Sequence, residues 1–143
     1  MPSDAHTHAA AQRCAIGTLA ASNVCICWHP TAWRHALCPT CVLRAQVLHC
    51  EGLGFLADII GGIEYVIEQA AVTGRPSVLS MSIGAGRSQV LNDAVDRLQP
   101  ANVVAVVAAG NSNDDACSYS PASAPSALTV GSTSADDRRS AFR

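Results

Sequence analysis

Seven consecutive apolar residues, Val103-Val-Ala-Val-Val-Ala-Ala109, leave this chain few ways to fold. The run is too short for a typical buried helix and rich in β-branched valine, so it predicts a strand. The absence of polar alternation is the pattern of a strand covered on both faces. Pro100 precedes it and Gly110-Asn111 follows, which bounds it on either side.

The segments around this strand carry a different period. From Leu56 to Thr73, Ile59, Ile60, Ile63, Val66, Ile67, Ala70 and Ala71 recur at helical spacing, and Gly74 with Pro76 ends the pattern. Ser77 to Ser82 is short and holds Val78, Leu79 and Met81, as suits a buried strand. Ser88 to Leu98 returns to helical spacing through Val90, Leu91, Ala94, Val95 and Leu98. Ala127 to Val130 reads as a further strand. Strands joined through helices are normally parallel with right-handed crossovers, so the order predicts an α/β parallel-sheet sandwich.

The first 50 residues are unlike the rest. They hold all five histidines, both tryptophans and six of the seven cysteines. A boundary is therefore expected near residues 42–50, dividing a Cys/His-rich segment, 1–45, with no assigned fold, from 46–143. Within the first part, Cys25, Cys27, His29, His35, Cys38 and Cys41 invite a zinc reading. Cys38-Pro-Thr-Cys41 also has the form of a redox pair. The spacing of Cys25-x-Cys27 is unusual for a zinc knuckle, and unassigned thiols or disulfides account for these residues more simply.

With 49% hydrophobic and 14% charged residues, the chain is not of disordered composition. Its formal charge of −2 gives no reason to expect nucleic acid as a partner. No apolar run reaches bilayer length, so no membrane partner is expected either. The N-terminus lacks the basic start and apolar core of a signal peptide.

In an open parallel sheet, ligands meet the loops at the carboxyl ends of the strands. Two such loops stand out, Ser80-Met-Ser-Ile-Gly-Ala-Gly86 and Ala108-Ala-Gly-Asn-Ser-Asn113. Adjacent parallel strands would bring both to one edge, where glycines allow close backbone approach and Asn111 offers a side-chain N–H. Taken singly, Gly-Asn after a strand is an ordinary turn. The first loop is no phosphate cradle of the P-loop type, because no Lys follows it.

The combination is more specific. Ser80-Met-Ser-Ile-Gly-Ala-Gly86, Val106-Val-Ala-Ala-Gly-Asn111, Tyr119-Ser-Pro-Ala-Ser-Ala-Pro-Ser126, Thr129-Val-Gly-Ser132 and Asp137-Arg-Arg-Ser-Ala-Phe142 occur in one order. That succession resembles the subtilisin-like (S8) serine peptidases, most closely the proteinase K branch, from about Val47 to Phe142. The resemblance implies a partial subtilisin-like domain over 46–143, a three-layer α/β sandwich incomplete in this chain.

It also implies a polypeptide substrate and an extracellular location. In that family a serine, a histidine and an aspartate form the catalytic triad, and an asparagine amide holds the oxyanion. Asn111 falls on that asparagine. Ser82, Ile83 and Gly84 fall on the edge that pairs with substrate backbone. Ala108, Ala109 and Gly110 fall on a wall of the pocket for the residue before the cut.

Other matches are partial. Pro125 and Ala127 match positions whose carbonyls bind calcium in the proteinase K branch. The carboxylate that completes that site has no match up to Arg143, so no bound cofactor or metal is expected here. Cys117 and Cys50 resemble disulfide positions whose partners find no match. The family's Gly-Thr-Ser-Met-Ala segment is absent, as is any strand ending in Asp-Thr-Gly or Asp-Ser-Gly. Its histidine motif has only a poor echo in Asp4-Ala-His-Thr-His8, where His6 is more simply a solvated residue. By this reading the chain alone is an inactive piece of a serine endopeptidase. The alternatives are a catalytically dead subtilisin-like binding module and a zinc-binding Cys-rich protein.

Overall fold

The computed structural model describes residues 23–28, 42–49 and 51–142. A five-stranded sheet is built from β1 (Asn23–Trp28), β2 (Val42–Gln46), β3 (Ser77–Met81), β5 (Val103–Ala108) and β7 (Leu128–Val130). Its spatial order is β2-β1-β3-β5-β7. Two-residue strands β4 (Ala85–Gly86) and β6 (Tyr119–Ser120) form a separate antiparallel pair. Among the described residues, two α-helices, α1 (Leu56–Thr73) and α2 (Gln89–Asp96), accompany these strands with short 3-10 turns.

The helices form where the sequence predicts. Gly74 closes α1 with φ 62°, a left-handed conformation glycine adopts without penalty, and its N–H bonds Ala70 O. Ser88 caps α2, its side chain accepting from Leu91 N at 3.4 Å. Along α1 the buried residues are Ile59, Gly62, Ile63, Val66 and Ala70, one continuous stripe. Ala71, expected on that stripe, is exposed. Gly62 is buried because Val47 packs on it. A Cβ there would lie 2.5 Å from Val47 Cγ1, so a side chain at this position would have to displace Val47.

β3 and β5 are parallel, and so are β5 and β7. The α/β parallel arrangement is the one expected. β1 departs from it, running antiparallel to both β2 and β3, so an antiparallel pair lies beside the parallel strands. The composition boundary expected at 45/46 falls at the end of β2, and residues on both sides of it pair into the same sheet.

Burial alternates strictly in the middle strands. Ser77, Leu79 and Met81 of β3 and Val103, Ala105 and Val107 of β5 are buried against the helices. Both helices contribute to this one core, through Ile63, Val66, Leu91 and Val95 among others. On the opposite face Val78, Val104, Leu128 and Val130 are exposed. The apolar run in β5 therefore has one covered face among the described residues, not two, which is where the sandwich is incomplete. The buried face supplies the hydrophobic stabilisation, at about 25 cal/mol per Å² of apolar surface removed from water.

Candidate functional site

Met81 stands opposite Val107 in the parallel pair of β3 and β5. The chain therefore leaves both strands at the same sheet edge. Ser82, Ile83 and Gly84 follow β3; Ala109, Gly110 and Asn111 follow Ala108, the last residue of β5. All seven residues singled out from the sequence line a single cleft of about 700 Å³.

The first wall is extended. Ile83 is buried while Ser82 and Gly84 are exposed, so the segment is anchored on one side and open on the other. A Cβ at Gly84 would meet nothing within 4 Å, so the space beside it belongs to the cleft. Beyond it, Ala85 and Gly86 pair antiparallel with Ser120 and Tyr119. Ser120 is fully buried; its hydroxyl donates to Ser88 O at 3.1 Å and accepts from Ser88 N at 2.8 Å. Arg87 adds a bond from Nη1 to Cys117 O at 2.9 Å. Through these contacts Tyr119, Ser120 and Ala122 become a third side of the cleft.

The second wall is a loop held at several points. Ala109 N bonds Val130 O at 2.9 Å. Gly110 has φ 101°, a region open essentially to glycine, and turns the chain so that Asn111 is exposed at the rim. The Asn111 amide makes no hydrogen bond within the described residues, so its N–H groups are free to donate. Asn113, at φ 52°, bonds Phe142 O through its N–H at 2.9 Å and accepts from Arg139 Nη2 at its Oδ1 at 3.1 Å. Asp114 accepts from Asp115 N and from the Tyr119 hydroxyl, and Asp115 accepts from Cys117 N.

Sequence reasoning did not single out Asn113, Asp114, Asp115, Tyr119, Ser120 or Arg139 as site residues, yet all line the cleft. Arg139 lies within Asp137-Arg-Arg-Ser-Ala-Phe142, so the motif that carried the family resemblance held the signal.

The other chemical candidates lie elsewhere. His49, the one histidine among the described residues, is stacked edge-on against Phe55 and does not line the cleft. His6, His29, His35, Cys38, Cys41 and Cys50 lie outside the described residues. Of Cys25 and Cys27 the backbone alone is described, and they alternate on β1 beside Ser80 and Val78. Cys117 is exposed and carries a free thiol.

The calcium positions do not assemble a site from the residues described. Ala127 N–H bonds Ala124 O, while Asp96 is engaged by Ser126 through N–H at 3.0 Å and Oγ at 2.6 Å. Two carbonyls without a carboxylate fall short of the six to eight oxygens calcium takes. No cluster of three His, Cys, Asp or Glu occurs among the described residues. Among them, too, no helix is long and apolar enough to cross a membrane.

Comparison with known proteins bears on the same residues. The profile of the subtilase family, Peptidase S8, matches residues 7–143, further upstream than the motifs alone reach. Alkaline serine exoprotease A of Vibrio alginolyticus is 45% identical over 101 residues, covering 71% of this chain and 18% of that protein. Subtilisin-like protease 4 of Trichophyton equinum is 43% identical over 103 residues, covering 71% of this chain and 26% of that protein. This chain thus spans about a quarter or less of these curated relatives. The crystal structure of a cold-adapted subtilisin-like serine proteinase superposes with a TM-score of 0.62 at 43% identity, covering 68% of this chain and 34% of that one. The chain belongs to the subtilase family of serine peptidases and carries a part of that family's α/β domain.

Proposed function

We propose that the cleft is the substrate-binding and oxyanion side of a serine endopeptidase site that takes polypeptide substrates. The observation that carries this reading is the meeting of two loops, 82–84 and 108–111, in one cleft with an uncommitted side-chain amide at its rim. An extended peptide would lie along Ser82-Ile83-Gly84 as an added strand, through main-chain hydrogen bonds. The side chain before the scissile bond would rest against Ala108, Ala109 and Gly110, whose small size leaves room for a sizeable apolar group.

The chemistry asked of Asn111 is specific. Attack on a carbonyl moves negative charge onto its oxygen, and an N–H donor fixed beforehand stabilises that charge without reorganising. Loss of such a donor lowers turnover by about 10²–10³ in subtilisin, a member of this same family. Nucleophilic attack itself needs a serine with a base within hydrogen-bond reach. No such pair lines the cleft among the described residues. The 143-residue chain by itself is therefore read as a binding half-site that hydrolyses nothing.

Two measurements test this. A peptide phosphonate, with an anionic tetrahedral centre in place of the scissile carbonyl, should bind more tightly than the same peptide with an ordinary amide. Asn111→Ala should remove most of that advantage while leaving the plain peptide's affinity nearly unchanged. Equal affinities, or an unaltered advantage in the variant, would count against Asn111 as the oxyanion donor. Labelling of the chain by a fluorophosphonate probe would overturn the view that it is inert.

A further inference from the structure

We infer that Arg139 is a positioning residue for the oxyanion loop, acting through Asn113 and so on Asn111 two residues upstream. The inference rests on the reading of Asn111 proposed above. Residues 132–140 form a tight hairpin: Thr133 and Arg139 bridge, Ser140 N bonds Ser132 O at 3.2 Å, and the hydroxyls of Ser132 and Ser140 lie 2.6 Å apart. That base fixes where the Arg139 side chain starts. Its guanidinium then reaches across the cleft rim to Asn113 Oδ1, while Phe142 O takes the Asn113 N–H.

One residue of the loop is thus held twice by the same downstream segment, through its side chain and through its main chain. The loop needs such a hold. Gly110 is freely rotating by nature, Asn113 sits at a positive φ, and residues 110–115 are all exposed. Without a tether the Asn111 amide would sample many directions, and a donor helps only if it is aimed before charge develops. A cationic donor on a neutral amide oxygen is stronger than a neutral pair.

The test uses the full 143-residue chain and NMR. Arg139→Ala should speed exchange of the Asn113 amide about two- to fivefold. It should also broaden the orientations of the Asn111 side-chain amide, with core amides in β3 and β5 unchanged. Arg139→Lys, which keeps one cationic donor, should restore most of both signals. Asn113→Asp keeps the left-handed turn and charges the acceptor, so it should slow exchange, but only while Arg139 is present. Equal effects of Asn113→Asp with and without Arg139, or loss of core protection in Arg139→Ala, would overturn the inference. The Asn113 exchange does not depend on Asn111 binding an oxyanion. A failed phosphonate test with an intact Arg139 effect would therefore reject the function and leave the tether standing.

Discussion

Met81 and Val107 face each other across the parallel pair of β3 and β5, and that register decides which residues share the cleft. Slipping the pair by one residue would turn each side chain of β3 to the other face. Leu79 and Met81 would then leave the core and Ser80 would enter it. The hydrophobic pattern thus locks the register, and the register delivers Gly84 and Asn111 to one edge.

Core and bare face should respond very differently to substitution. Leu79 is fully buried, so Leu79→Ala should cost about 2–5 kcal/mol. Its neighbour Val78 points to the exposed face, and Val78→Thr should change stability by no more than about 0.5 kcal/mol. Urea denaturation of the full chain separates the two. A comparable loss for both would mean that the second face is covered in solution.

Gly110 should not accept a side chain. A Cβ there would meet nothing within 4 Å, so the cost is conformational, not steric crowding. With φ at 101°, Gly110→Ala should cost about 1–3 kcal/mol or force the loop into another path. A thermal melt reports the first, and loss of the Asn113 amide bond to Phe142 O, read by hydrogen exchange, reports the second.

A chain beginning at residue 46 should fail to unfold cooperatively. It would lose β1, which covers one edge of β3, and most of β2. An uncovered strand edge beside the apolar face of Val78 and Val104 favours aggregation. Circular dichroism against urea for residues 46–143 gives the answer. A sharp two-state transition would contradict the expectation.

The exposed carboxyl of Asp136 lies below its ordinary value of 3.8, first because Ser134 Oγ donates to it at 2.6 Å and then because of its own backbone hydrogen bond. The folded state favours the charged form, so any stability this contributes is present above the unfolded pKa and is lost as pH falls through the lowered one. Ser134→Ala should raise the Asp136 pKa toward 3.8 in an NMR titration. An unmoved titration curve would assign the shift to the backbone alone.

Much of the fold was legible because the local signals agreed. Gly74 and Pro76 end α1 where the apolar period ends, and Ser88 caps α2 where that period resumes. Strand β1 was obscured by its own composition: in Asn23-Val-Cys-Ile-Cys-Trp28 the cysteines suggest metal ligands, while Val24 and Ile26 alternate with them as a strand requires. The pair β4–β6 has two residues a side, too few for any period to show. The seven candidate residues could be named because they match the motifs of the resembling family at the ends of two readable strands. Arg139 sits in a motif that marks the family, but its contact with Asn113 could not be read from it. That contact joins distant segments through a hairpin folding back across the cleft rim.

One buried atom gives the cleft a mechanical character. The Ser120 hydroxyl grips both main-chain groups of Ser88, and Ser88 is at the same time the residue whose side chain starts α2. The far side of the cleft and the first turn of the helix are therefore tied together at Ser120. The bonds from Arg87 to Cys117 O and from Asn92 to Ser123 Oγ brace the same join.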